Sequence, residues 1–392
     1  MRRLVSLATV GVLLSCGGDD DSSATVATPL ESGSGVAVTV DDPPLTTSTE
    51  PAEPQATAPR ATVAVPDTTA SVPSLPTAPF LAADLFEPQV GIAVPNGENG
   101  SWDDVYTDPG AVVVDSAGVI HMLHNGFNSF PGEVGVAYSR STDGGVTFER
   151  LTDQPVFDSA LAGTEHIVLA SSVLIDDDGS WSLFYFTWEA GVWPVAPSRI
   201  WRATAPGPQG PWTPDEAPAL EPGAAGSWDD LAVRSPSVVH DEAGFHMWFT
   251  GVSVGNVGAI GYATSADGTT WEKRAEPVLG AGRSGEWDAG NVHQPRVTSG
   301  PDGYVMTYSG APQLDNPNSF TQQHGLAVSA DGIDWVRSAE PLLTASQFRR
   351  RNLWFSAIVW TGEAYLVFPE VGSNGSTDVF VARHQGPLSI GG

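Results

Sequence analysis

Residues 227–251 read SWDDLAVRSPSVVHDEAGFHMWFTG, and residues 260–279 read IGYATSADGTTWEKRAEPVL. Trp228-Asp229-Asp230 opens the stretch. Val238-Val239 and Phe245-His246-Met247-Trp248 follow as β-branched and aromatic runs, separated by Gly244. Gly261-Tyr262-Ala263-Thr264, Asp267-Gly268, Trp271 and Pro277-Val278 complete it. Short runs of such residues between Gly, Asp and Pro read as strands and turns. Asp-Gly between two strands signals a tight hairpin.

The same order recurs on both sides. Upstream it runs Trp102-Asp103-Asp104, Val112-Val113-Val114, Gly118, Ile120-His121-Met122-Leu123, Val136-Ala137-Tyr138-Ser139, Asp143-Gly144 and Pro155-Val156. Downstream it runs Trp287-Asp288, Gly303, Tyr304 to Tyr308, Leu326-Ala327-Val328-Ser329, Asp331-Gly332, Trp335 and Pro341-Leu342. The Trp-Asp starts at 102 and 228 are 126 residues apart, whereas the next interval is 59, so the long interval hides one more unit. It is present in degenerate form at Ser172–Ile175, Gly179, Trp181–Thr187 and Ile200–Ala203. A fifth unit closes the chain at Ala357–Trp360, Gly362, Tyr365–Phe368 and Val379–Ala382. No helical period appears after residue 80. A repeat of about sixty residues with four strands is one propeller blade. The expected fold is therefore an all-β, five-bladed β-propeller over residues 86–390. The fifth unit has only three clear strands, so the strand-like residues 89–94 are expected to pair with residues 379–383 and close the ring.

The start of the chain has another character. Met1-Arg2-Arg3 precedes an apolar run from Leu4 to Leu14, a signal-peptide pattern too short to span a bilayer as a helix. Leu13-Leu14-Ser15-Cys16 resembles the bacterial lipobox. Residues 1–16 are thus expected to be a lipoprotein signal with Cys16 as the lipidated residue. Residues 17–80, rich in Thr, Ser, Ala, Pro and Asp, have no hydrophobic period and read as a disordered linker. The expected location is extracytoplasmic, lipid-anchored to the bacterial cell membrane. Cys16 is the only Cys, so no disulfide is available and stability must come from packing.

The chain carries 17 basic and 46 acidic residues, a formal charge of −29. That surface repels nucleic acid and anionic lipid, so neither is an expected partner, and any membrane link runs through the anchor. A closed ring leaves few strand edges, which suits a monomer.

Candidate site residues follow from counting. The innermost strand of each blade starts near the central channel, where side chains converge. Six residues after each Trp stand Asp108, Arg234 and His293. Glu165, His166 and Gln294 occupy comparable blade starts. These residues differ between blades, as a pocket assembled from several blades requires. By contrast, the recurring Asp103, Asp229 and Asp288 read as loop caps. The Asp-Gly pairs read as turns, and Trp271, Trp335 and Phe148 as core.

The quoted units resemble the arabinanase/levansucrase/invertase superfamily of five-bladed propellers, over about residues 86–390. The resemblance implies glycosidic bond hydrolysis by carboxylates on the channel, which suits an oxocarbenium-like transition state. Asp108-Pro109 matches that superfamily's base or nucleophile. Elsewhere its Asp and Glu elements are replaced, by Arg234-Ser235-Pro236 and by His293-Gln294-Pro295. Glu165 or Asp230 is then the expected source of the missing carboxyl, with His166, Arg234, His293 and Gln294 binding substrate. Glu370 falls in the last unit on what counts as an outer segment. No cofactor is expected; some relatives hold a Ca²⁺ or a hydrated ion near a channel His, and His293 alone does not indicate one. The expected partner is an oligo- or polysaccharide. Two alternatives stay open: a non-catalytic carbohydrate-binding propeller, which Gln294 favours, and a protein-interaction scaffold. STDGGVTFER, residues 141–150, also resembles the Asp-box hairpin of sialidases.

Overall fold

The computed structural model describes residues 75–89, 91–129, 132–189, 197–312 and 323–390. The signal segment, Cys16 and the expected linker up to residue 74 lie outside the described residues. Among the described residues the regular structure is all strand, apart from one 3₁₀ turn at Ala345–Phe348.

The repeat unit is an up-and-down antiparallel sheet with a short fourth strand. The clearest example joins Ala232–Asp241, Gly244–Val252, Gly258–Ser265 and Glu272–Lys273. Two more four-stranded sheets start at Ile167–Ile175 and Asn291–Gly300. A nine-stranded sheet holds the rest. Its two halves start at Tyr106–Val114 and Asn352–Trp360 and are joined by a parallel bridge between Tyr106 and Thr377. The first strands lie side by side in chain order, and the one at Asn352–Trp360 returns to lie beside the one at Tyr106–Val114. Sheets arranged radially around their first strands make a β-propeller.

Strand periodicity explains the packing. Alternate residues of a central strand face opposite neighbours. On Trp181–Trp188, Leu183 and Tyr185 pack with Leu123, Tyr138 and Phe157 of the preceding sheet. Phe184 and Phe186 pack with Met247 and Phe249 of the following one. Trp248 and Tyr262 meet Met306 and Tyr308 in the same way, and Val305 and Val328 meet Tyr365 and Val367. Ile120 and Met122 meet Leu366 and Phe368, so the apolar layers also run round the ring.

The last sheet borrows its outer edge from the other end of the fold. Glu87 and Pro88 pair with Arg383 and Ala382, and the Gln89 N–H donates to the Val381 carbonyl at 2.8 Å. Ala93 N–H donates to Val379 O at 2.8 Å, and Val94 bridges Val379. This is the closure expected between residues 89–94 and 379–383. The fold also begins earlier than residue 86: Phe80 is buried, bridges Ser338, and accepts the Ala339 N–H.

The recurring Trp-Asp elements form clasps. Each Asp is buried and binds a basic residue on the fourth strand of its own sheet: Asp103 with Arg150 at 2.6 Å, Asp229 with Lys273 at 2.5 Å, Asp288 with Arg337 at 2.8 Å. Ser101 and Ser227 hydroxyls also donate to Asp103 and Asp229. The clasp ties the entering loop to the edge strand. The Asp-Gly hairpins are braced differently: Asp143 accepts from the N–H groups of Val146 and Thr147, and Asp267 from those of Thr269 and Thr270.

Breaking a buried ion pair leaves a desolvated charge, which costs about 3 kcal/mol or more. Asp288→Ala is expected to lower the urea-unfolding free energy by about 3 kcal/mol. Glu149→Ala, at the exposed Arg140 pair (45 % and 63 % exposed), should stay within about 0.5 kcal/mol. Deletion of residues 75–94 uncovers the edge at Ala382–Gln385 and is expected to lower Tm and cause aggregation, read by thermal unfolding and light scattering.

Candidate functional site

Every first strand breaks register near its start. The breaks lie between Asp108 and Ala111, Ala170 and Ser172, Arg234 and Ser237, His293 and Arg296, and Leu353 and Ser356. Three coincide with X-Pro: Asp108-Pro109, Ser235-Pro236 and Gln294-Pro295. A bulge is where Pro fits inside a sheet, since no ladder donor is lost there. Gly110, Ser235 and Gln294 sit at φ 52°, 52° and 56°. Glycine is required at the first, because a Cβ on Gly110 would lie 2.1 Å from the Leu123 carbonyl oxygen. Ser235 and Gln294 hold the left-handed conformation without that freedom, at a cost of about 1 kcal/mol each. Bulges bend the strand and re-aim its side chains.

Asp108 is 1 % exposed. Its Oδ1 accepts the Gly110 N–H at 2.7 Å and the Asn125 amide at 2.9 Å. Its Oδ2 is buried with no hydrogen-bond partner among the described residues. Asn125 also reaches the next sheet, donating to Ala170 O at 3.0 Å and accepting its N–H at 2.8 Å. Burial pushes the Asp108 carboxyl up to about 6, against Asn125, the Gly110 N–H and the charge of Arg296.

The acidic neighbour of Asp108 is Glu370, not Glu165 or Asp230. Glu370 is 2 % exposed and lies in the second strand of its sheet, Ala364–Ser373, opposite the bulge. That corrects its assignment to an outer segment. The Thr377 hydroxyl donates to Oε1 at 2.6 Å. Burial, and then the negative charge of Asp108, hold the Glu370 carboxyl well above the usual carboxylate range. Asp230 has a loop role. Its oxygens accept the Gly226 and Val254 N–H groups at 2.8 and 2.9 Å, and these bonds lower its pKa. Glu165 and His166 are exposed in the bend before Ile167.

Four basic groups share the ring centre. Arg234 and His293 are half-buried at their bulges, and the Arg234 guanidinium lies 5.7 Å from the Trp188 ring. Arg296 is buried; its Nη1 donates to Pro295 O at 2.9 Å and Ser235 O at 3.4 Å. His324 is buried, with Nε2 at 3.0 Å from Trp354 O and 3.1 Å from Ser309 Oγ. Burial is the main cause that lowers His293 to about 3 and His324 to about 4. Gln294 is held by its neighbours: its N–H donates to Thr250 Oγ1, and its Oε1 accepts the Ser309 hydroxyl, both at 2.7 Å.

Sequence counting finds Asp108, Arg234, His293 and Gln294 and misses Arg296, His324 and the place of Glu370. Glu370 had a legible signal: one carboxyl in the apolar run Tyr365–Val371 must be buried among apolar neighbours. The described residues hold no group of three or more His, Cys, Asp or Glu able to bind a metal, and Arg234 and Arg296 flank the histidines.

No family model and no curated protein matches the sequence. Solved glycoside hydrolases share the fold. A glycosyl hydrolase from Bacteroides ovatus is 18% identical, covers 80% of this chain and 99% of its own, and has a TM-score of 0.55. A family 117 glycoside hydrolase from the marine bacterium Zobellia galactanivorans is 14% identical over 79% and 92%, with a TM-score of 0.57. A structure from work on mannoside phosphorylases and hydrolases of family GH130, targeting β-1,2 mannosidic linkages in Candida mannan, is 18% identical over 81% and 99%, with a TM-score of 0.57.

The raised carboxyls give a signed pH dependence. A folded pKa above the unfolded value stabilises the fold in acid, and that stability is lost as pH rises through the folded pKa. His293 and His324, with lowered pKa values, act in the opposite direction. The test is therefore a difference. The unfolding free energy of the wild type minus that of Asp108→Asn should fall as pH rises from about 4 to about 6. A difference that stays flat in urea titrations across this range contradicts a raised Asp108 pKa.

Proposed function

We propose that this protein is a five-bladed propeller glycoside hydrolase acting on extracellular glycans, with Asp108 as base or nucleophile and Glu370 as the proton-bearing carboxyl. Three of the blades are the separate four-stranded sheets, and the nine-stranded sheet supplies two. The observation that carries the reading is the buried Asp108–Glu370 pair, in which burial raises both carboxyls and the charge of Asp108 raises Glu370 further. Glycoside hydrolysis needs one carboxyl that holds a proton and one that gives it up in the same pH range. Glu370, raised by the Asp108 charge as well as by burial, keeps the proton while Asp108 ionises. Likeness of fold to glycoside hydrolases supports the same reading.

In this proposal Cys16 carries the lipid anchor and the segment after it is a tether, so that a monomeric ring meets polymer outside the cell. A second reading is a non-catalytic carbohydrate-binding propeller. Gln294 favours it, because an amide stands where a carboxyl of the resembled enzymes would be and is already bonded to Ser309.

A glycan-hydrolysis screen decides between them. Asp108→Asn should lower kcat by at least about 100-fold, the ordinary scale for a general acid or base. Glu370→Gln should lower it similarly and remove the basic limb of the pH–rate profile. Equal turnover in wild type and Asp108→Asn eliminates the catalytic assignment. Glycan retention without turnover in the wild type establishes the binding reading.

A further inference from the structure

The ring centre gathers basic side chains in a strongly acidic molecule. Basic residues are outnumbered 17 to 46, yet Arg234, His293, Arg296 and His324 lie on one side of this small region. Sheet register brings them together. His293 is opposite Ser309, and Ser309 is opposite His324, so the three form one row across the sheet. Directly opposed residues stand about 5 Å apart at Cβ. Arg234 is opposite Thr250 in the neighbouring sheet, and Thr250 accepts the Gln294 N–H at 2.7 Å, so the two rows abut. Arg296 follows on the far side of the same bulge and reaches Ser235 O in that neighbouring sheet.

Several basic side chains elsewhere form ion pairs, as at Arg150, Arg202, Lys273 and Arg337. Arg234, His293, Arg296 and His324 form no ion pair among the described residues. Three of their nitrogens, Arg296 Nε, His293 Nδ1 and His324 Nδ1, are buried without a hydrogen-bond partner there. Buried polar atoms left in that state cost about 1–3 kcal/mol each, so they point to a ligand. Guanidinium donors match an oxyanion. His324 adds a different requirement. Its Nε2 contacts the Trp354 carbonyl, which can only accept, so Nε2 carries the proton. Nδ1 of the neutral ring is then an acceptor and calls for a ligand hydroxyl.

We infer that this side of the ring centre binds a sugar carrying a carboxylate, a uronic acid unit, with Arg234 and Arg296 on the carboxylate and His324 Nδ1 on a ring hydroxyl. The Arg234 guanidinium lies 5.7 Å from the Trp188 ring at the half-buried mouth, and the charge of Asp108 acts on Arg296. The inference rests on the carbohydrate part of the proposed function and names the class of sugar.

The test is calorimetric titration of the whole protein with methyl glucuronide, methyl galacturonide, their neutral glucoside and galactoside counterparts, and inorganic phosphate. The uronides should bind at least about tenfold more tightly than the neutral sugars, the scale of one charge-assisted hydrogen bond. Arg234→Gln, at the half-buried mouth, should abolish that preference while circular dichroism and Tm stay near wild type. Equal affinity for uronide and neutral sugar overturns the inference. So does phosphate binding as tight as uronide binding, or a preference that survives Arg234→Gln in a folded variant. Turnover is scored separately. Uronide preference without cleavage keeps this inference and removes the catalytic one; cleavage of neutral glycans without uronide preference does the reverse.

Discussion

Each first strand breaks its hydrogen-bond ladder with a bulge near the start, and the chemistry of the centre depends on those bulges. Asp108, Arg234 and His293 stand on the near side of theirs, and Arg296 on the far side. Pro109, Pro236 and Pro295 stabilise the break, because each occupies a place with no ladder partner for an N–H. The strain held at Ser235 and Gln294 persists because the flanking strands are locked by packing on both faces.

The polar centre is divided. Asp108 and Glu370 face low dielectric, and Glu370 also faces the charge of Asp108, so a proton is retained there at mildly acid pH. The histidines lie under the same burial with cations beside them, so they stay neutral. Burial thus favours the neutral form of both residue types and drives their pKa values in opposite directions. Arg296 stands between the two halves and offsets part of the cost of ionising Asp108. On the proposed reading, the carboxyl half supplies the reaction and the basic half orients the substrate.

Stability is arranged away from that centre. The Trp-Asp clasps sit where the entering loop meets the fourth strand, and the apolar layers fill the space between successive sheets. Closure uses residues 87–94 as the outer edge of the last sheet, so the two ends of the fold hold one another. A centre containing unpartnered polar atoms is tolerated because the clasps and layers do not depend on it.

The amino-acid sequence by itself determined the repeat. Trp-Asp starts, Asp-Gly hairpins and β-branched runs are local signals, legible in each unit, and so was the expected pairing of residues 89–94 with 379–383. Asp108, Arg234, His293 and Gln294 were legible because they share one offset from a recurring Trp or one X-Pro break. The burial of Glu370 was legible, but not its place beside Asp108, nor that of His324, since they sit in second and third strands, where the face a side chain takes depends on register and on the neighbouring sheet. Arg296 was hidden for a related reason: only the bulge decides whether the residue after Pro295 faces the axis. Tertiary structure alone brought residues 108, 296, 324 and 370 together, because proximity across a ring is set by how separate sheets pack and not by spacing along the chain.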